Sequence, residues 1–235
     1  MHDCAGSIIN EWTVVSAAHC FTATKTADKY IVLPGTHDSV LPEDLEDYEG
    51  PLHKIHSLYV PKKWDSKMLY HDIAILVMEK PFEFNDRIKP IEMMDYSDSS
   101  QLRVGKKCKI AGWGQTEDLS YPIQLQEVEV PIINLDTCKE NYENKNYTGM
   151  VTDLNFCAGL KGKDSCFGDS GGPMMCKGKL AGVVSFGPNN ECGNEHLPGV
   201  YTNVSIFAPV IDKTFRTKIQ RQVITFMYTF LKSKL

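Results

Sequence analysis

Asp164-Ser165-Cys166-Phe167-Gly168-Asp169-Ser170-Gly171-Gly172-Pro173 is the stretch on which the reading of this sequence turns. A serine ringed by glycines sits where the backbone can bend sharply and a substrate carbonyl can approach closely. A serine hydroxyl is a poor nucleophile near neutral pH and needs a base within hydrogen-bond reach. The pattern Gly168-x-Ser170-x-Gly172 also fits a strand-to-helix elbow, in which the acid and then the histidine follow the serine. Here Gly-Gly-Pro follows Ser170, which opposes a helix. The only later histidine is His196, in a loop beside Gly193 and Pro198. The elbow reading fails, so the partners of Ser170 must lie upstream.

Two upstream places qualify: Ser16-Ala-Ala-His19-Cys20 and His71-Asp72-Ile-Ala-Ile-Leu. Taken singly both are weak, because a histidine among alanines is ordinarily a core or loop residue. An aspartate opening an apolar strand is ordinarily a turn residue. Around them, short β-rich runs alternate with turn residues: Ser7-Ile-Ile-Asn, Thr13-Val-Val, Tyr30-Ile-Val-Leu, Ile73-Ala-Ile-Leu-Val-Met, Cys108-Lys-Ile-Ala-Gly, Gln126-Glu-Val-Glu-Val, Leu180-Ala-Gly-Val-Val-Ser-Phe and Gly199-Val-Tyr-Thr-Asn-Val. That rhythm predicts an all-β sandwich or barrels with few helices before the end. Val128, Val130 and Ile132 interleave with Glu127 and Glu129, as one buried strand face requires. The polar stretch beginning at Asp95 predicts a seam, giving units over 1–95 and 96–208. From Pro209 onward, Ile211, Phe215, Ile219 and Val223 recur at steps of four, which predicts a helix over 209–235 with Pro209 in its first turn. Its apolar end beyond Arg221, closed by lysines, fits either packing or a membrane surface.

The net charge of −5 over 235 residues argues against nucleic acid and anionic membranes as partners. No apolar run approaches the roughly 20 residues of a membrane-spanning helix. The acidic stretch Pro42–Glu49 reads as a solvated loop, with a calcium loop as the alternative. Eight cysteines, an even number without a Cys-x-x-Cys pair, predict four disulfides in an oxidising compartment rather than a zinc site. The count alone leaves 105 pairings open. Two sequons, Asn146-Tyr-Thr and Asn203-Val-Ser, are compatible with a secreted glycoprotein. Met1 is followed at once by His2, Asp3 and Cys4, so the sequence is expected to be an exported body without its leader.

In chain order histidine, aspartate and serine, the three places together resemble the chymotrypsin family of serine proteases, in its trypsin-like branch. The resemblance rests on Cys4-Ala-Gly-Ser-Ile-Ile, Ala17-Ala-His-Cys, Asp72-Ile-Ala-Ile-Leu, Gly112-Trp-Gly, Gly168-Asp-Ser-Gly-Gly-Pro, Val184-Ser-Phe-Gly and Pro198-Gly-Val-Tyr-Thr-Asn-Val, and extends from Cys4 to about Ile211. It implies two antiparallel six-stranded-type β-barrels and a catalytic triad of His19, Asp72 and Ser170. It implies an oxyanion hole of the Gly168 and Ser170 amides. The disulfide framework it implies is Cys4–Cys20, Cys108–Cys176, Cys138–Cys157 and Cys166–Cys192. The resemblance also implies that Asp164, six positions before Ser170, lies at the base of a specificity pocket, with Gly187 and Gly199 on its walls. Ser185, Phe186 and Gly187 would pair with the substrate backbone as an added strand. The implied activity is secreted endopeptidase cleavage after Lys or Arg. The implied partners are protein or peptide substrates and protein inhibitors, with no metal or cofactor and a monomeric state.

The resemblance also has gaps. Family members carry an Ile-Val-Gly-Gly segment well upstream of the position of Cys4. Its freed amine pairs with the aspartate that matches Asp169, which in zymogens can instead contact a histidine matching His2. The chain as written is therefore expected to lack the first strand of its N-terminal barrel and to show little peptidase activity. Thr36 stands where trypsins have a calcium-ligating glutamate. Glu191 stands at the pocket rim, Ala5 replaces a glycine, and Val210 replaces the usual tryptophan of the terminal helix. The alternative function is a catalytically silent, zymogen-like protease homologue acting as a binding protein.

Overall fold

The computed structural model describes residues 4–22, 26–100, 102–188 and 191–214. Five strands form a curled, half-barrel antiparallel sheet: β1 (Ser7–Asn10), β2 (Thr13–Ser16), β3 (Ile31–Val32), β4 (His53–Tyr59) and β5 (Ala74–Met78). Their order is β1-β2-β5-β4-β3, so β5, into which Asp72 leads, lies at the centre, beside the β2 strand that leads to His19. Val14, Phe21, Ile55, Leu76 and Met78 fill the hollow of this sheet.

Six strands close a second barrel: β6 (Lys107–Gly112), β7 (Gln126–Ile133), β8 (Asn155–Ala158), β9 (Pro173–Cys176), β10 (Lys179–Phe186) and β11 (Gly199–Asn203). The cyclic order is β10-β11-β8-β7-β6-β9. The alternation along β7 sends Val130 and Ile132 into the core. On its other face Glu127 and Glu129 pair with Lys109 and Lys107 of β6, at 2.7 and 3.1 Å. A third cluster joins the two sheets: Val15, Ala17, Ile73 and Ile75 pack with Leu180, Val183, Val204, Phe207 and Ile211. Closure removes sheet edges from the second unit, and the joining cluster packs the two sheets against each other.

The strand runs named in the sequence all fall on strands. β4, β8 and β9 are additional, as is a helix α2 over Leu135–Glu143. In β4 the polar His53, Lys54, His56 and Ser57 mask Ile55, which is buried. In α2, Asn134 Oδ1 accepts from the Thr137 amide at 3.0 Å. Cys138 and Tyr142, four apart, turn one face inward. A short helix α1 (Tyr96–Ser99), capped by Asp95, occupies the expected seam. The terminal helix α3 covers 204–214, so Pro209 lies in its second turn rather than in its first. Ile211 is buried as its periodicity predicts. Phe215, Ile219, Val223 and the segment beyond Arg221 lie outside the described residues.

Four disulfides are formed: Cys4–Cys20, Cys108–Cys176, Cys138–Cys157 and Cys166–Cys192. These are the pairs that the family resemblance implies. Cross-links of this kind typically stabilise a secreted domain by about 2–5 kcal/mol each. The first ties β1's approach to the residue after His19, and the last ties the approach to Ser170 to the rim residue beside Glu191.

Candidate active site

Asp72 stands immediately before β5, after a reversal at His71, which has a φ of 55°. Its Ile73 amide closes back on the His71 carbonyl at 2.8 Å. This turn drives the Asp72 side chain inward, where it is fully buried. A buried carboxylate must be hydrogen-bonded or its desolvation costs several kcal/mol. Three donors meet it. The His19 amide donates to Oδ1 at 2.9 Å, His19 Nδ1 lies 2.7 Å from Oδ2, and Ser185 Oγ donates to Oδ2 at 2.5 Å. Thr202 Oγ1 holds the Asp72 carbonyl at 2.7 Å. Hydrogen bonds to charged groups contribute about 1.5–3 kcal/mol each, so the His19 ring is fixed with Nε2 left for another partner.

Ser170 reaches this place through its backbone. The Ala5 amide donates to the Ser170 carbonyl at 2.8 Å. Gly171, with a φ of 78°, lies so close to Ser16 and Ala17 that a Cβ there would fall 2.3 Å from Ser16 Oγ. The serine turn is thus pressed against the segment that carries His19, and only glycine fits the contact. No hydrogen bond joins His19 to the Ser170 hydroxyl among the described residues.

The amides of the turn divide into two sets. Cys166 donates to Asp169 Oδ2, Asp169 to the Cys166 carbonyl, Gly171 to Val184 and Gly172 to Asp169. The amides of Gly168 and Ser170 donate to no acceptor among the described residues. These two amides, one of them the candidate nucleophile's own, are the donors on which the expected oxyanion hole calls. Gly168 has a φ of 97°, a conformation that β-branched or bulky residues rarely adopt.

Asp169 turns its carboxylate toward Gly112 and Gly114. Oδ1 accepts from the Gly114 amide at 2.8 Å, and a Cβ on either glycine would collide with it. His2, the expected alternative partner, lies outside the described residues.

Asp164 is partly buried on the far side of the same loop. Its Oδ1 accepts from the Ser165 amide at 2.8 Å and from Tyr201 Oη at 3.1 Å, and its Oδ2 from the Gly199 amide at 2.8 Å. Loss of solvation pushes its pKa up to about 7, against the lowering pull of the Ser165, Tyr201 and Gly199 hydrogen bonds. Tyr201, fully buried, also meets Ser165 Oγ at 3.0 Å. A Cβ at Gly199 would lie 2.3 Å from Asp164 Oδ1, whereas one at Gly187 would meet nothing within 4 Å. Gly199 is therefore required by packing against the acid, and Gly187 borders open space. A cleft of about 870 Å³ runs past both Asp164 and Asp169, edged by Glu117, Phe167 and Glu191.

Ser185 has a side-chain contact besides the backbone part expected of it. The β10–β11 ladder pairs Val184 with Tyr201 and Phe186 with Val200, skipping Ser185. Such an irregularity re-aims a side chain, and here it delivers the hydroxyl to Asp72. Sequence reasoning missed that contact and missed Ser165 and Tyr201 beside Asp164. A hydroxyl adjacent to the acid and a tyrosine two residues past Gly199 were the available signals.

Elsewhere the candidates are quiet. Glu43, Asp44, Glu46, Asp47 and Glu49 are exposed. Among the described residues the one group of three metal-type ligands is Cys4, His19 and Cys20, whose two sulfurs are joined to each other.

A family model described as Trypsin matches residues 1–211. Trypsin-2 of Salmo salar is 35% identical over 219 residues, spanning 92% of this chain and 86% of that protein. Trypsin zeta of Drosophila melanogaster is 37% identical over 218 residues, 90% of this chain and 73% of its own length. Serine protease 1 of Homo sapiens is 36% identical over 217 residues, 91% and 80% of the two chains.

Proposed function

Because the chain belongs to the trypsin family of serine proteases, we propose that it is a secreted endopeptidase that cuts after Lys or Arg by way of an acyl-enzyme. The observation that carries this reading is the buried Asp72 carboxylate clamped to His19 Nδ1, with the Ser170 turn pressed against the same segment. Ser170 Oγ attacks the scissile carbonyl while its proton passes to His19 Nε2. The oxyanion that forms takes the open amides of Gly168 and Ser170, a donor of this kind being worth roughly 3–4 kcal/mol. His19 then returns the proton to the leaving amine, and the C–N bond breaks. Water repeats the sequence on the ester and frees Ser170. Asp72 holds the imidazole tautomer and stabilises its charged form without itself taking the proton. Four disulfides support an extracellular setting.

A serine-directed phosphonofluoridate tests the reading directly. With its family-type activated N-terminus in place, the protein should form a single covalent adduct mapped to Ser170. Absence of an adduct, together with no cleavage of any Lys or Arg amide, would sink the proposal in favour of a silent binding protein.

The Lys or Arg preference rests on Asp164, whose carboxylate needs a cation to offset its burial. With its pKa near 7 in the free protein, Asp164 must lose its proton before it can pair with a substrate cation. The ratio of kcat/KM for an Arg substrate to that for an uncharged one should therefore fall as pH drops below 7. The slope approaches about tenfold per unit. The rest of the catalytic machinery is common to both substrates, so the ratio isolates the pocket. A ratio flat from pH 8 to 5 would mean that no pocket carboxylate changes charge over that range. The same shift makes Asp164 a contribution to stability that is lost as pH rises from about 4 to about 7, because the native state holds the proton longer.

A further inference from the structure

The loop after α2 carries Asn146-Tyr147-Thr148, and its surroundings distinguish it from the second sequon. Asn146 is exposed at the tip of a turn, with a φ of 68°, and its carboxamide makes no hydrogen bond among the described residues. Asn203 ends β11 instead. Its Oδ1 caps α3, accepting from the Ser205 amide and hydroxyl at 3.1 and 2.8 Å. Ser205 is buried and bonded onward to Ser99 Oγ at 2.8 Å. One sequon is therefore open at both its asparagine and its hydroxyl residue, and the other is built into the fold.

The open sequon also lies beside the segment that leads to Asp72. Three residues on, the Gly149 carbonyl accepts from Tyr70 Oη at 2.7 Å, and a Cβ at Gly149 would lie 3.3 Å from Met68. Tyr70 is two residues from Asp72. On the other side, Tyr147 packs edge-on against Tyr142 with ring centroids 5.5 Å apart. Tyr142 in turn meets Phe186 at 5.8 Å. The turn is thus fastened both to the Asp72 loop and to the strand proposed to receive the substrate backbone. A branched polar glycan held there would stand over the approach to that strand.

We propose that Asn146 is an N-glycosylation site and that its glycan screens the cleft against bulky protein substrates while leaving small ones free. The screening part rests on the peptidase reading above, whereas the site itself does not. The test uses the full-length protein secreted from eukaryotic cells, with glycopeptide mass spectrometry before and after enzymatic deglycosylation. Asn146 should be occupied in the wild type and in Thr148→Ser, empty in Thr148→Ala and Asn146→Gln, and Asn203 empty throughout. Once activated, Asn146→Gln should gain on the order of tenfold in kcat/KM toward a folded protein substrate, as expected for relief of an approach constraint. Its kcat/KM toward a tripeptide amide should not change. An empty Asn146, or occupancy at Asn203, overturns the site assignment. An occupied Asn146 with equal kcat/KM for both substrate sizes in Asn146→Gln and wild type overturns the screening. No turnover of the tripeptide amide by either form would instead count against the peptidase reading.

Discussion

Replacing Ser170 with alanine in the activated protein is expected to lower kcat toward a Lys or Arg amide by about 10⁶-fold, with KM little changed. The loss is large because covalent catalysis disappears entirely, leaving only binding and the oxyanion donors to act on a water attack. Nothing in the fold depends on the hydroxyl. The contacts that place Ser170 use its carbonyl, held by the Ala5 amide, and the neighbouring Gly171. The thermal midpoint of Ser170→Ala should therefore match that of the wild type. Asp72→Asn is the companion. It keeps the shape of the buried clamp but alters the proton arrangement toward His19 Nδ1 and Ser185 Oγ, and about 10⁴-fold in kcat should be lost. Steady-state kinetics on both variants checks the pair. A Ser170→Ala protein that retained even a hundredth of the rate would exclude Ser170 as the nucleophile.

Asp164→Ser should reverse the preference at the cut site. The cation of a Lys or Arg side chain would enter the slot beside Gly187 and Gly199 and find no carboxylate. Burying an unpaired charge costs roughly 3–5 kcal/mol, or about 10²–10⁴ in kcat/KM. Aromatic and aliphatic side chains pay no such penalty, so their relative kcat/KM should rise. The variant should fold, because the wild-type carboxylate carries a desolvation penalty large enough to push its pKa to about 7, and serine removes that penalty. A cleavage profile over a peptide library reads the outcome. Continued preference for Lys and Arg over aromatic residues would mean that another group, such as Glu191 at the cleft edge, selects the cation.

The β-strands with a plain apolar rhythm were legible in the sequence because their period reports burial directly. Val130 and Ile132 face the core, and Glu127 and Glu129 face lysines across the ladder, as the alternation requires. β4 was not legible, since Lys54 and His56 are exposed, His53 is half-buried against Phe82, and the fully buried contribution of the strand is little more than Ile55. The start of α3 was misplaced for a related reason. Helix periodicity locates the packed face, while the first residue is set by the Asn203 cap at the end of β11.

By itself the sequence determined the residue types that chemistry demands: a serine among glycines, a histidine, an aspartate, a second acid six positions before the serine, and eight cysteines. The pairing of those cysteines came from family resemblance, because count and spacing say nothing about which thiols meet. Only the tertiary structure decided what lies beside what. The bulge that skips Ser185 and aims it at Asp72, the Tyr201 and Ser165 hydroxyls around Asp164, and the open amides of Gly168 and Ser170 each depend on segments far apart in the chain. Local patterns record propensity and burial. Contacts between distant segments are fixed by packing of the two sheets, whose joining cluster draws Val15, Ile73, Leu180 and Phe207 together from across the sequence.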